Sequence, residues 1–419
     1  MSLSTRLTAG TGSSAVVERC QICDSENLDP VLFLGYLPPV NQMWPIGHTP
    51  GEQAAYPALL LRCRHCQLVQ LGLVVDPKIL FPPEYPYSSG TTRILRENFA
   101  ELCREATPLL QLQPGDLIVD IGSNDGTLLS NFQQAGFRVH GIEPTQMGVL
   151  AQQRGIPTTI SFLTADAAEQ VRREQGPAKV ATATNVFAHI EDVHSVVENI
   201  RRLLADDGAF ISESHYLLSL VETLQYDTIY HEHLRYYSLT SVQNLLARHD
   251  LEVFFAKRIP THGGSIRIYA GSKGAHPVDP AVAEIARQEA GLSIDALQAF
   301  KRRVVQSKLD LYALLQTLKA QGQRIYGIGA PSRASTLINY VGLDDGILDC
   351  ILEIQGSQKI GKYLPGTLIP VIDESRLFDD PPDCALLLSW HIADELTTKL
   401  RSRGYKGRFL IPLPEPRIV

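Results

Sequence analysis

The chain has 419 residues, 44% of them hydrophobic and 20% charged, with a net charge of −7. That length supports roughly two to four domains of common size, and the acidic balance argues against broad nucleic-acid or anionic-membrane binding. No run approaches the roughly 18 apolar residues of a membrane span.

The N-terminal stretch MSLSTRLTAGTGSSAVVERC lacks the apolar core of a signal peptide, so residues 1–18 read as a disordered tail and the protein as cytoplasmic. Residues 19–80 are rich in Pro, Gly and turns, with short apolar runs (VLFLG, ALLLRC) too sparse for an independent core. Four of the seven cysteines fall here in two C-x-x-C pairs, Cys20 with Cys23 and Cys63 with Cys66. Two such knuckles supply four thiolates for a tetrahedral ion, and zinc is the usual occupant. Two unrelated pairs, or a redox dithiol, is the alternative, but a redox dithiol opens a helix in a thioredoxin-like unit and no such pattern follows. With four protein ligands the metal is structural, and His65 is left as a surface residue.

Residues 81–275 change character. RILRENFAELCREATPLL has helical periodicity, and the strand-like runs DLIVDIG, FRVHGIEP, VATATNV and GAFISESH alternate with helical stretches, the pattern of a parallel α/β sheet. Asp206-Asp207-Gly208 reads as a turn, and EVFFAKRIP and GGSIRIYAG as two late antiparallel strands. VDIGSNDGTLL is a strand end, a glycine turn and a helix start; Gly122 and Gly126 permit close backbone approach. Its acids, Asp120 and Asp125, disfavour a pyrophosphate and favour a cationic or neutral ligand. Glu143 ends the next strand about 20 residues on, where such folds present a carboxylate to ribose hydroxyls. Together these suit S-adenosylmethionine, with a purely structural turn as the alternative.

Asn185 and His189 follow the next strand-like run, and YHEHLRYYS then crowds Tyr230, His231, Glu232, His233, Tyr236 and Tyr237 together. His with Glu or Tyr suits general-base chemistry near neutral pH; an aromatic-rich structural segment is the plainer reading. On a strand His231 and His233 would share a face. Residues 276–419 open with a long polar helix and continue with a second alternation (RIYGIGAP, ILDCILEI, LIPVI, CALLLSW, RFLIPL). Arg333, at a helix start after the late glycine loop, is either a diphosphate contact or a surface arginine.

The ordered set of motifs, from the paired cysteines through EYPYSS, VDIGSNDGTLL, NVFAHI, YHEHLRYYS and THGGSIR to YGIGAPSRASTLINY and GKYLPGTLIPV, resembles the zinc-containing, S-adenosylmethionine-dependent sugar C-methyltransferases along nearly the whole chain from Cys20. The resemblance implies an α/β protein of three parts: a small zinc-binding domain, a central Rossmann-like class I methyltransferase domain and a C-terminal Rossmann-like domain. It implies a nucleotide-linked 4-keto-deoxysugar, held between the last two parts and methylated at carbon 3, and a monomer. Carried onto this chain, it places zinc on Cys20, Cys23, Cys63 and Cys66, and the cofactor by Tyr85, Tyr87, Ser88, Asp120, Gly122, Ser123, Asn124, Asp125, Glu143 and Asn185. It assigns catalysis to His233, Tyr230, Glu232 and His189, with His233 favoured as base, Tyr230 as rival base or hydrogen-bond donor and Glu232 tuning His233. Substrate contacts fall to His262, Gly264, Arg333 and Lys362. The chain departs from the family where Ser332, Arg333 and Ala334 replace Ala-Lys-Gly, and where Glu353 to Gly356 replace Asp-x-Asn-Pro. An O- or N-methyltransferase, a nicotinamide dehydrogenase using the late glycine loop and a non-catalytic zinc scaffold are the competing readings.

Overall fold

Residues 14–48, 52–81 and 93–419 are described by the computed structural model of the chain. They form sheets of four, seven and eight strands beside a two-stranded ribbon. The central sheet orders its strands Leu251–Ile259, Ser265–Ser272, Leu204–His215, Ala178–Thr184, Leu117–Ile121, Arg138–Ile142 and Thr158–Thr159. All neighbours are parallel except at Ser265–Ser272, which runs against the strands on both sides. Every residue of Leu117–Ile121 is buried, because helices cover both faces of a parallel sheet. Successive side chains of a strand point to opposite faces. Leu117, Val119 and Ile121 therefore join a core with the helix Val193–Leu203, while Ile118 joins Phe99, Leu102, Leu128 and Phe132 on the other side.

The expected turn at Asp206–Gly208 is not a turn. These residues lie inside the strand Leu204–His215, where the pairing jumps from Ala178↔Leu204 to Val180↔Ala209, so two exposed aspartates bow out without ending the strand. The helix Pro280–Glu289, beyond the expected border at 275, packs on Leu251–Ile259 of the central sheet.

The C-terminal sheet runs Arg417–Ile418, Arg408–Ile411, Cys384–Leu387, Ile325–Ile328, Cys350–Glu353, Pro370–Asp373, Lys362–Tyr363 and Trp44–Pro45. Its approach is the helix Ile294–Ala320, capped by Ser293 and burying Leu297, Phe300, Val304, Leu311, Leu315 and Leu318 along one face. The last strand, Trp44–Pro45, belongs to the cysteine-rich unit. That unit's own antiparallel sheet, Leu28–Leu37, Tyr56–Cys63 and Val69–Leu71, receives Arg235–Tyr236 from the central unit as its fourth strand. The three units thus exchange strands, and Val31, Leu34, Leu60 and Leu68 share one continuous core with the other two. This is how the sparse apolar runs of the small unit are buried.

The end of the expected tail is ordered. Ser14 and Ala15 are buried, and Ala15–Val16 pairs with Leu73–Val74; residues 1–13 lie outside the described residues. Among the described residues no helix is long and apolar enough to cross a membrane.

Candidate active site and metal centre

The two cysteine knuckles share one geometry. Asp24 N–H donates to the Cys20 carbonyl (3.0 Å) and Gln67 N–H to the Cys63 carbonyl (3.1 Å). Asp24 and Gln67 both take a positive φ, 60° and 62°, so each turn closes just after its second cysteine. Within each turn an amide donates to the first sulfur, Ile22 N–H to Cys20 Sγ (3.5 Å) and His65 N–H to Cys63 Sγ (3.3 Å). The four sulfurs lie within 4.8 Å of one another, with Cys20 to Cys66 at 3.3 Å and Cys23 to Cys63 at 3.4 Å. A tetrahedral zinc with Zn–S of about 2.3 Å calls for S···S of about 3.8 Å, so the set fits a zinc ion. The charge agrees. The thiol of Cys66 donates to Cys20 and pulls its pKa down to about 5, while burial pushes Cys23 up to about 11. Four thiolates this close require a cation. His65 is exposed and no ligand.

At the expected cofactor loop, Gly122 takes φ +67°, and a Cβ there would lie 2.6 Å from Val186 Cγ2. The residue is glycine because both the backbone and the neighbouring side chain exclude anything larger. Glu143 closes the loop from the adjacent strand end. Its Oε2 accepts from Asn124 N–H (3.0 Å), and its Oε1 from Thr145 N–H (2.9 Å) and Thr145 Oγ1 (2.6 Å). Asp120 is buried, accepts from Thr182 Oγ1 (2.6 Å) and is pushed up to about 7 by burial, with Glu143 and Glu213 adding repulsion. Asp125 serves the fold: it accepts from Thr127 Oγ1 (2.6 Å) at the start of the helix Thr127–Gln134 and pairs with Arg154 (3.0 Å). Ser123 Oγ, Asn185 Oδ1 and His189 Nδ1 are buried with no hydrogen-bond partner among the described residues, as groups awaiting a polar ligand are. The acids, Ser123 Oγ and Asn185 Oδ1 fit S-adenosylmethionine, which carries two positive centres and ribose hydroxyls. Tyr85, Tyr87 and Ser88 lie outside the described residues.

Tyr230–Leu234 forms an irregular turn between Tyr226–Thr228 and Arg235–Tyr236, neither strand nor helix, so the face that a strand would give both His231 and His233 does not arise. His231 turns to the Pro57 carbonyl (3.3 Å) and the Tyr56 ring, against the zinc unit. His233 turns inward. Its Nδ1 lies 2.9 Å from the Thr228 carbonyl, and a carbonyl only accepts, so Nδ1 carries the proton and Nε2 the lone pair. Tyr230, His215 and His189 surround it, with ring centroids at 4.2, 4.8 and 5.0 Å. His262 adjoins His215 at 5.4 Å. Burial lowers all these histidines, His189 and His262 to about 4, and mutual repulsion adds to the lowering of His215 and His233. The cluster is neutral near pH 7. The orienting partner of His233 is the Thr228 carbonyl; the Glu232 carboxylate is held by Asn41 Nδ2 (2.8 Å). Gly264, at φ +124°, admits Ser219 Oγ to 2.6 Å of where a Cβ would stand.

Arg333 is 6% exposed and so no surface arginine. Its fork binds Asp227 through two 2.8 Å contacts, under the Trp390 ring, whose Nε1 also donates to Asp227 (2.7 Å). The charge expected for a diphosphate is already paired. Lys362 sits half-buried on the short strand between Pro370–Asp373 and Trp44–Pro45, and it is Lys359 that reaches the late glycine loop, with Nζ donating to the Ala330 carbonyl (2.6 Å). Sequence reasoning passed over Lys359, His215 and His391. His215 ends the parallel strand Leu204–His215, and His391 follows Cys384–Leu387. Position beyond the carboxyl end of a parallel strand, where α/β sheets bind ligands, was the available signal.

Residues 20–81 match a zinc binding domain family, residues 94–254 a family described as methyltransferase domain, and residues 260–414 one described as C-methyltransferase C-terminal domain. Over 409 residues the chain is 32% identical to the C-methyltransferase NovU of Streptomyces niveus, spanning 96% of this chain and 97% of that protein. Among solved structures, the PH0226 protein of Pyrococcus horikoshii OT3 is 16% identical, with a TM-score of 0.37 over 48% of this chain and 97% of its own. The magnesium protoporphyrin IX methyltransferase of Synechocystis PCC 6803 with bound SAM is 16% identical, with a TM-score of 0.34 over 45% and 88%. Full-length similarity to a C-methyltransferase, three matched families in chain order and four sulfurs gathered for one ion establish that this chain belongs to the zinc-containing, S-adenosylmethionine-dependent C-methyltransferases.

Proposed function

We propose that the protein methylates carbon 3 of a nucleotide-linked 4-keto-deoxysugar. The observation that carries this reading is the fixed tautomer of His233: a neutral, buried imidazole with its Nε2 lone pair available, ringed by Tyr230, His189 and His215. Carbon acids need such a base, and a ketone at carbon 4 acidifies the proton at carbon 3. His233 Nε2 takes that proton, and the C–H electron pair passes into an enolate. A hydrogen bond from His189 to the oxygen at carbon 4 strengthens as negative charge gathers there. Tyr230, tilted by 34° against His233, is the second donor or the rival base. Asp120, Gly122, Ser123, Asn124, Glu143 and Asn185 would hold S-adenosylmethionine, which would supply its electrophilic sulfonium methyl to the enolate carbon and leave as S-adenosylhomocysteine. His262 and Gly264 line the sugar side, with Lys362 and the Arg333 region beyond them. Much of the remaining rate comes from aligning the two substrates.

The test is mass spectrometry of a panel of nucleotide 4-keto-6-deoxysugars incubated with protein and S-adenosylmethionine. A methyl on carbon 3 of one member is expected. A methyl on oxygen or nitrogen of any acceptor, with none on carbon, would overturn the reading in favour of an O- or N-methyltransferase.

A further inference from the structure

Asn41 stands where the zinc unit crosses to the C-terminal unit. The chain leaves the strand Leu28–Leu37, turns through Pro39 and Gln42 (3.1 Å, N–H to carbonyl) and joins the C-terminal sheet as Trp44–Pro45. Ile46 N–H then donates to the Gly361 carbonyl (2.9 Å), which fixes the crossing from its far side. At the bend the Asn41 amide touches both other units. Its Nδ2 donates to Glu232 Oε1 (2.8 Å), and its Oδ1 accepts from Ser332 Oγ (3.4 Å). Glu232 is 3% exposed and precedes His233 in the same turn. Across the junction lies the buried ammonium of Lys359, held by the Ala330 carbonyl (2.6 Å) and facing the carboxylates of Glu353 and Glu232. In so dry a place a carboxylate is drawn strongly to an ammonium. The Asn41 amide, donating to one oxygen, fixes the orientation of the acid.

We infer that Asn41 is a positioning residue for methyl transfer, supplied by the zinc unit, which sets the Glu232 carboxylate and through it the turn that carries Tyr230 and His233. The inference rests on the proposed role of His233 and gives the zinc unit a task at the reaction centre besides folding. It also explains why that unit lends a strand to the C-terminal sheet: the crossing delivers Asn41.

The zinc-loaded protein is compared with Asn41→Ala and Asn41→Asp. Zinc content, S-adenosylmethionine affinity, kcat and KM on the sugar that the wild type methylates, and peptide-resolved hydrogen exchange over 226–234 are measured. For Asn41→Ala, kcat falls by about ten- to a hundredfold with KM little moved, the cost of a misplaced catalytic group. Exchange in 226–234 quickens, while zinc content and cofactor affinity hold. Asn41→Asp sets two carboxylates face to face, and these share a proton only in acid. Its kcat relative to wild type therefore climbs as pH falls toward about 5, a trend that loss of packing alone does not produce. Unchanged kcat in both variants, an Asn41→Asp ratio flat with pH, or activity lost together with zinc would overturn the inference. If the wild type methylates no sugar offered, the functional reading fails by itself. The exchange arm still decides the placement of Asn41: unaltered exchange over 226–234 rejects it, and faster exchange there supports it.

Discussion

At Gly122, and again at Gly329, a parallel strand ends in a left-handed glycine and a helix begins, while an acid from the next strand accepts a loop amide. In the central unit Glu143 accepts from Asn124 N–H (3.0 Å); in the C-terminal unit Glu353 accepts from Ala330 N–H (2.6 Å). The surroundings differ in sign. The first loop lies among the buried acids Asp120 and Asp125. The second carries the ammonium of Lys359, while Arg333 and Asp227 neutralise each other and Glu353 accepts the loop amide. One backbone device is thus tuned for two ligands. The acidic loop suits a cofactor with cationic centres, and the basic one suits a substrate that carries phosphates. Fold alone would not separate them; the charges beside each turn do.

Substitutions that cross the two loops should break this contrast if it is wrong. The largest effect belongs to the proposed base. His233→Ala should lower turnover by about a thousandfold or more, as loss of a general base does, with cofactor affinity unchanged in calorimetry. Next, Glu143→Ala should weaken S-adenosylmethionine binding by about a hundredfold, since it strips the proposed ribose acceptor and frees the Asn124 and Thr145 amides, yet leave KM for the proposed sugar nucleotide nearly unmoved. Lys359→Met should do the reverse, raising that KM by about tenfold while calorimetry with the cofactor reads as wild type. Of similar size is a pH dependence. Asp120 is pushed up to about 7 by burial; a cationic ligand favours its ionised form, so binding releases a proton. Affinity should then weaken as pH falls, by about tenfold from pH 8 to pH 6, and Asp120→Asn should flatten the trend.

Much of the metal centre was legible, because C-x-x-C spacing dictates a local turn that needs nothing from the rest of the chain. Gly122 and Glu143 were legible for a similar reason: strand, turn and helix follow one another, and the acid sits at a fixed offset. What could not be read depends on distant partners. Trp44–Pro45 and Arg235–Tyr236 are two-residue strands with no periodicity to detect, and each pairs within another unit's sheet. The partner of Arg333 is Asp227, far off in sequence, so either a phosphate contact or a surface position fitted the local pattern. Whether His231 and His233 share a face turned on a local conformation that the sequence left open, because Tyr230–Leu234 is shaped by Thr228 and Pro57 carbonyls rather than by a ladder.

Proton removal by His233 is the central claim, and one measurement isolates it from methyl transfer. The nucleotide 4-keto sugar methylated by the wild type is incubated in deuterated water with S-adenosylhomocysteine in place of the methyl donor, using wild type and His233→Ala. Deuterium at carbon 3 is expected with the wild type, and none above the no-enzyme control with the variant. Equal exchange in both would contradict the claim and move the base to Tyr230 or another group.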